Sequence, residues 1–234
     1  MSRTSLGLIR TVKRSLQRDG LIATMRKALL RLFGARTIRS GPPTMRFASR
    51  MNLDDRWAYV SKALPAKPAW ILDVGTNDCD TLFRLGRSGY CALGLEAFPL
   101  EMDRPLSKGL AIMHLEVNPT VIESMPSFDA ILLLSVFHRI YALQGPETAM
   151  NVLSSFSKKT RRLILEGASS HARYTDKGEA APPFKDMDEI SCIGWHMEIF
   201  QQATGNQFAV QHIGTNYSLR TGEPRPSFLL ISGE

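Results

Sequence analysis

The sequence predicts an α/β fold of three layers, in which helices cover both faces of a mostly parallel, seven-stranded sheet. Two observations carry this prediction. From residue 69 onward, short apolar runs alternate with segments of helical pattern, as expected for strands joined by crossover helices. The last two apolar runs follow one another without a helix between them, which predicts an antiparallel hairpin at one edge of the sheet. With 44% hydrophobic and 22% charged residues, the composition excludes a disordered or fibrous chain.

Each predicted strand is an apolar run bounded by glycine or polar residues. In chain order the runs are 69–75, 90–96, 110–115, 128–135, 162–166, 208–214 and 226–232. Helical patterns lie around 82–85, over 146–158 and within 187–204. Gly205 is expected to end the last of these helices.

The chain divides by charge near residue 50. Residues 1–50 contain twelve lysines and arginines and one acid, a net charge of +11. Residues 51–234 contain 17 basic and 21 acidic residues, a net charge of −4. We therefore expect residues 1–50 to form a basic helical arm and linker, and residues 51–234 to form the α/β domain. Apolar residues recur at helical spacing over residues 5–33 with basic residues between them, which predicts basic amphipathic N-terminal helices.

Three roles remain open for these helices. A basic amphipathic helix binds an anionic membrane surface, at about 1 kcal/mol for each lysine or arginine near the lipid. An arginine- and serine-rich segment with few acids also describes an organelle transit peptide. The third role is a lid that packs on the domain with its basic face in solvent. Nucleic acid is the less favoured partner, because the domain itself has no excess of basic residues.

The first two predicted strands each end in an acid. The first ends in Ile71-Leu72-Asp73-Val74-Gly75, and Glu96 ends the second, 23 positions after Asp73. An acid in this place can accept hydrogen bonds from a ribose, and a spacing of about 20 residues is typical of nucleoside-binding folds. With Phe128-Asp129 opening the fourth strand and the closing strand pair, the pattern resembles the Rossmann-like class I S-adenosylmethionine-dependent methyltransferase family over roughly residues 65–234.

The resemblance implies S-adenosylmethionine as the cofactor and gives roles to the matching positions. Asp73 and Gly75, with Asn77 in the turn that follows, are expected to hold the methionine part. Glu96 is expected to bind the ribose hydroxyls.

Three further residues complete the predicted cofactor site. Glu116 and Asn118 follow the third strand, and one of the two is expected to contact the adenine. Ser135 ends the fourth strand and is expected at the same edge, because parallel strands present their carboxyl ends together.

The turn after the first strand, GTNDCD, has fewer glycines than the usual form of the family. Asparagine tolerates the left-handed conformation, so Asn77 can make the bend. A dinucleotide needs glycines for the approach of its pyrophosphate, and Asp78 and Asp80 would repel a phosphate. An acidic turn suits a sulfonium cation better and therefore favours S-adenosylmethionine. Either aspartate can also simply cap the following helix.

Residues 135–141 (SVFHRIY) are the strongest candidates for chemistry, and we predict a loop there at the mouth of the sheet. His138 can act as a general base toward an acceptor hydroxyl, since the ordinary pKa of histidine is about 6.5. The alternatives are that it packs on the cofactor or caps a helix. The long polar segment 167–183 is predicted to be a lid over the acceptor. No spacing of metal-ligating residues predicts a metal site.

We expect a methyltransferase that methylates an oxygen of a small-molecule, glycan or lipid-linked acceptor near a membrane surface. No Asn-Pro-Pro-Tyr-type motif follows the fourth strand, which disfavours amino methylation of nucleic acid or protein. The alternatives are an RNA methyltransferase with a basic arm, a non-catalytic binding module, and a nucleotide-dependent oxidoreductase. Three scattered cysteines favour a reducing compartment, so the expected location is the cytoplasm, with peripheral attachment to the membrane.

Overall fold

The computed structural model describes residues 53–77, 79–97, 109–168, 183–184, 186–217 and 224–233. The predicted N-terminal helices and residues 169–182 of the predicted lid lie outside these ranges, as does Asp78. Within the described ranges the strands are β1 (Trp70–Val74), β2 (Cys91–Glu96), β3 (Ala111–His114), β4 (Ala130–Leu134), β5 (Arg162–Glu166), β6 (Phe208–Tyr217) and β7 (Pro224–Ser232). The helices are α1 (Leu53–Ala63), α2 (Asp80–Arg87), α3 (Pro119–Ser124), α4 (Phe137–Gln144), α5 (Pro146–Ser157) and α6 (Glu189–Ala203).

The strands form a single sheet in the order β3-β2-β1-β4-β5-β7-β6. The first five are parallel, whereas β7 runs antiparallel to both β5 and β6. The predicted parallel sheet with an antiparallel edge hairpin is therefore confirmed. Every residue of β4 is buried, as expected for a strand that has helices on both faces.

The helices divide between the two faces of the sheet. Ile71 points to the face where α1 and α2 contribute Val60 and Leu85. Leu72 points to the other face, where α4, α5 and α6 form a second core that includes Phe156 of α5. This alternation follows from the two-residue period of a strand, and it places a separate apolar core under each layer of helices.

The segment that we predicted as a loop after the fourth strand is largely helical, and that prediction was wrong. Helix α4 begins at Phe137, only three residues beyond the end of β4. Phe137 and Ile140 are buried on one side of it, at the i, i+3 spacing of a helix face. His138 therefore lies in the first turn of a helix. Helices α1 and α3 were not predicted either.

The edge hairpin is longer than predicted, since β6 continues to Tyr217 and β7 begins at Pro224. The pairing of the two strands shifts register between His212 and Gly214. A side chain at Gly214 would collide with the ring of Tyr59 on α1. The glycine therefore lets α1 pack against the carboxyl edge of the sheet, where the candidate site lies.

Candidate functional site

The candidate site lies at the carboxyl edge of the sheet, where β1 lies between β2 and β4. The chain leaves β1 toward β2 and β3 on one side and returns to β4 on the other. In an open α/β sheet, ligands bind in the crevice that such a reversal creates outside the strand ends. All seven residues predicted to bind the cofactor lie within four residues of the carboxyl end of β1, β2, β3 or β4.

The turn after β1 is held against β2 by two backbone hydrogen bonds. The amides of Gly75 and Thr76 both donate to the carbonyl of Leu95, at 2.7 and 3.1 Å. Gly75 has φ +71°, and a Cβ there would lie 2.5 Å from Cγ2 of Val136. Asn77 takes the left-handed conformation with φ +45°, as the sequence predicted for the bend.

Glu96 connects the end of β2 to this turn. Its side chain is nearly buried, with the residue 8% exposed, and Oε2 accepts a hydrogen bond from the Asn77 amide at 2.8 Å. A carboxylate has about four lone-pair positions, so Glu96 can hold the turn and also accept a hydrogen bond from a ligand hydroxyl. The predicted ribose acid is thus also the residue that fixes the turn.

Asp73 lies inside β1 and is 2% exposed. Its backbone pairs with Gly94 on β2 and Leu132 on β4, so the residue lies directly beneath the reversal point. A carboxylate this deep acts on whatever cation approaches the turn above it, since the surrounding protein screens charge less than water does.

Glu116 and Asn118 follow β3, and the structure gives them different tasks. Oδ1 of Asn118 accepts a hydrogen bond from the Val121 amide at 3.0 Å, which makes Asn118 the N-cap of α3. Glu116 is exposed and accepts a hydrogen bond from Gln144 at 3.0 Å. Of the two alternatives for the adenine contact, Glu116 is the one whose side chain is not committed to a helix end.

The carboxyl ends of β1, β2 and β3 have a uniform electrostatic character. Among the described residues 73–77, 96–97 and 114–118 there are three carboxylates and no lysine or arginine. A site for a pyrophosphate would need cations or several glycines at this point. The edge therefore fits a nucleoside that carries positive charge and no phosphate, which is the chemistry of S-adenosylmethionine.

Ser135 directs its hydroxyl away from these carboxylates. It has φ +63°, and Oγ donates a short hydrogen bond to Oε1 of Glu166 at the end of β5. Arg225 of β7 donates to the same Oγ from Nη1 at 3.0 Å. The predicted cofactor contact of Ser135 therefore remains a prediction, while its observed partners belong to β5 and β7.

Glu166 is fully buried and is bound by Arg56 of α1 through two parallel hydrogen bonds. Nε donates to Oε2 at 2.9 Å and a terminal nitrogen donates to Oε1 at 3.0 Å. Such bidentate pairs are among the strongest interactions of a carboxylate. The sequence reasoning did not single out Arg56 or Arg225, because no local pattern marks either residue.

His138 is buried in the first turn of α4. Burial lowers the pKa of His138 well below its usual value, and the nearby charges of Arg225 and Arg139 lower it further. The imidazole is therefore neutral near pH 7, and the same shift makes it a weaker base than an exposed histidine. It lies on the same side of the reversal point as Ser135 and Glu166.

His196, by contrast, has a structural role. Nε2 accepts the Ala168 amide at 3.2 Å, and Nδ1 lies 2.7 Å from the Cys192 carbonyl, so the proton resides on Nδ1. Burial lowers the pKa of His196 to about 4, against the opposing effect of the Cys192 carbonyl. This side chain ties the end of β5 to α6, and its ring would collide with any Cβ at Gly167.

A narrow cleft lies between α1, α2 and the end of β4, where Arg56, Asp80 and Leu134 line it. Over the part of the chain that the structure describes, no three His, Cys, Asp or Glu side chains are placed to hold a metal ion. Nor does any helix in those ranges have the length and hydropathy to cross a membrane.

Comparison with known proteins gives structural matches only. No protein-family model matches the chain, and no curated protein matches its sequence. The bifunctional kinase-methyltransferase WbdD is 20% identical with a TM-score of 0.56, over 76% of this chain and 38% of that one. A second WbdD structure gives a TM-score of 0.62 at 19% identity, over 82% and 38% of the two chains. This chain thus spans less than two fifths of the WbdD chains.

Two further matches cover nearly the whole of both chains. The N-methyltransferase NodS from Bradyrhizobium japonicum, in complex with S-adenosylhomocysteine, is 11% identical with a TM-score of 0.52, over 96% of this chain and 98% of that one. The 1,6-didemethyltoxoflavin-N1-methyltransferase from Burkholderia thailandensis is 14% identical with a TM-score of 0.50, over 88% of each. With the strand order 3-2-1-4-5-7-6, these matches show that the chain has the Rossmann-like fold of the class I S-adenosylmethionine-dependent methyltransferases.

Proposed function

We propose that this protein is an S-adenosylmethionine-dependent methyltransferase. The observation that carries the proposal is the acidic edge at the reversal point, where Glu96 fixes the turn that Gly75 begins. A fold alone does not define an activity. In addition to the fold, the residues at this edge have the chemistry to bind a cationic nucleoside without phosphate. They lie where ligands bind in folds of this type.

Each of these residues would contact a different part of the cofactor. Glu96 would accept hydrogen bonds from the ribose hydroxyls, and Glu116 would meet the adenine. Asp73 and the turn at Gly75 and Asn77 would hold the methionine part. When bound, the cofactor supplies an electrophilic methyl group on a sulfonium sulfur.

The bound cofactor would supply its methyl group to an acceptor lone pair and would keep the electron pair of the broken bond on its sulfur. The acceptor would lose a proton. Much of the barrier can be removed by holding the two reactants in line. We propose that His138, which lies in the first turn of α4 just after β4, receives this proton from an acceptor hydroxyl.

We further propose that the acceptor is a small molecule, a glycan or a lipid-linked compound at the cytoplasmic face of a membrane. The support comes from composition: residues 1–50 carry a net charge of +11, and the domain that follows carries −4. Charge of this sign near residues 5–33 would bring the enzyme to an anionic lipid surface.

The test is a transfer assay with methyl-labelled S-adenosylmethionine, the full chain, and separate extracts of small metabolites, lipids and RNA. We expect label in the metabolite or lipid extract, and expect the His138→Gln variant to transfer it about 100-fold more slowly or worse. Label in RNA would instead identify an RNA methyltransferase. If no extract is labelled and the chain binds neither S-adenosylmethionine nor S-adenosylhomocysteine in a titration, the protein is a non-catalytic binding module.

A further inference from the structure

The carboxyl ends of β4 and β5 and the start of the antiparallel β7 carry a second polar cluster, on the opposite side of the reversal point from the three carboxylates. We call the group formed by Arg56, Ser135, Glu166 and Arg225 the arginine cluster. Its four residues come from α1, the end of β4, the end of β5 and the start of β7. Since the nucleoside is assigned to β1, β2 and β3, this side faces the acceptor.

The arginine cluster has one positive charge more than it has negative charge. Arg56 takes both oxygens of Glu166, which is the only carboxylate among the four residues. Arg225 lies 3.9 Å from Oε1 of Glu166 and donates to the neutral hydroxyl of Ser135. His138 adds no further positive charge, because burial and then Arg225 lower its pKa and keep it neutral.

Two described acids near Arg56, Asp54 and Asp80, are paired with another arginine. Asp80, which lines the cleft beside Arg56, is bound by Arg84 at 2.8 Å. Arg84 also binds Asp54, whose side chain is 75% exposed. These three residues form a network of their own, and the structure shows no ion pair between them and Arg225.

Arg225 keeps unused hydrogen-bonding capacity. Its side chain is only 21% exposed, and Nε is buried with no hydrogen-bond partner among the described residues. Directly across the ladder from Arg225 lies Asn216, which is buried and whose Nδ2 also lacks a partner in the described part of the chain. Buried donors of this kind are costly unless a ligand or water satisfies them. The two donors share one face of the hairpin, since directly opposite residues point the same way.

We propose that the arginine cluster binds an anionic group, a carboxylate or a phosphate, of the methyl acceptor. The guanidinium fork of Arg225 matches the paired oxygens of such a group, and Asn216 provides a neighbouring donor. Arg56 and Glu166 hold the floor of this site in place. The inference rests on the proposed methyltransferase function and narrows its substrate to an anionic acceptor.

The experiment measures the affinity of the full chain for inorganic phosphate and for acetate, at constant ionic strength and with S-adenosylhomocysteine present. The variants are Arg225→Gln, which removes charge and fork, and Arg225→Lys, which keeps the charge alone. Arg161→Gln is the matched control, because Arg161 is exposed and lies just before β5. The basic N-terminal arm is identical in all four proteins, so any anion that it binds cancels in the comparison.

We expect Arg225→Gln to weaken binding of phosphate or acetate by about tenfold or more, and Arg225→Lys to weaken it less. Arg161→Gln and the affinity for S-adenosylhomocysteine should stay unchanged. Equal anion affinity in wild type and Arg225→Gln would overturn the proposal. So would a loss of S-adenosylhomocysteine affinity in Arg225→Gln, because the arginine would then serve the cofactor.

Failure of the proposed function has a different signature. The wild-type chain would then bind no S-adenosylhomocysteine, while the anion titrations of the variants could still be compared without it. A thermal unfolding scan of each variant shows whether it is folded, and if Arg225→Gln does not fold, the comparison of Arg225→Lys with wild type decides.

Discussion

Replacing Glu96 by glutamine and by alanine separates the two tasks that this carboxylate performs. In Glu96→Gln the side-chain oxygen can still accept the hydrogen bond from the Asn77 amide, now 2.8 Å from Oε2. The new NH₂ group, however, cannot accept a hydrogen bond from a ribose hydroxyl. The variant should therefore keep the turn and lose part of the ligand contact. Glu96→Ala should lose both.

The expected magnitude follows from the burial of Glu96, which is 8% exposed. Leaving a buried polar group unsatisfied costs about 1–3 kcal/mol, which corresponds to about 5- to 150-fold weaker binding of S-adenosylhomocysteine by Glu96→Gln. Glu96→Ala should bind at least as weakly, and it should also unfold at a lower urea concentration, because the turn loses its anchor.

The assay is calorimetric titration with S-adenosylhomocysteine, with urea unfolding of the unliganded variants beside it. Glu123→Gln is the control, because Glu123 is an exposed carboxylate on α3 away from the strand ends. If both Glu96 variants bind S-adenosylhomocysteine as tightly as wild type does, the assignment of the ribose to the end of β2 is refuted.

Two further predictions concern stability. Gly75→Ala combines a φ of +71° with a Cβ 2.5 Å from Val136, so we expect the free energy of unfolding in urea to fall by about 2–5 kcal/mol. Gly86→Ala is the control, because its Cβ would meet nothing within 4 Å, and it should be neutral or slightly stabilising. Equal effects of the two substitutions would contradict the reasoning. His196 has its pKa lowered to about 4 from an ordinary 6.5, so the unfolded chain binds the proton first, and stability that is complete above pH 6.5 is lost as the pH falls toward 4. Between pH 7 and pH 4 the free energy of unfolding should fall by about 3 kcal/mol more in wild type than in His196→Gln. Parallel curves of unfolding free energy against pH would show that His196 does not titrate as described.

The sheet and the acids at its edge could be predicted from the sequence, because their signals are local. An apolar run that ends in Asp73 or Glu96 marks both a buried strand and a polar group at its carboxyl end. Two apolar runs without a helix between them marked the edge hairpin. Helix α4 was missed because its apolar positions extend over barely two turns, directly after a strand.

The arginine cluster could not be predicted, because its contacts join distant parts of the chain. Arg56 binds Glu166 across 110 residues, and Arg225 binds Ser135 across 90. Only the order of the strands brings these ends together, with β7 inserted beside β5 and α1 packed over both. The N-cap role of Asn118, in contrast, does have a local signal, since a proline follows it at the first helical position.

The most direct test of the central claim is calorimetric titration of the full chain with S-adenosylhomocysteine, with NAD as the control ligand. The acidic edge of the sheet favours a nucleoside without phosphate. We therefore expect S-adenosylhomocysteine to bind with a dissociation constant in the micromolar range, a binding free energy of about −8 kcal/mol, and NAD not to bind. Binding of NAD, or binding of neither ligand, would contradict the assignment of this edge to S-adenosylmethionine.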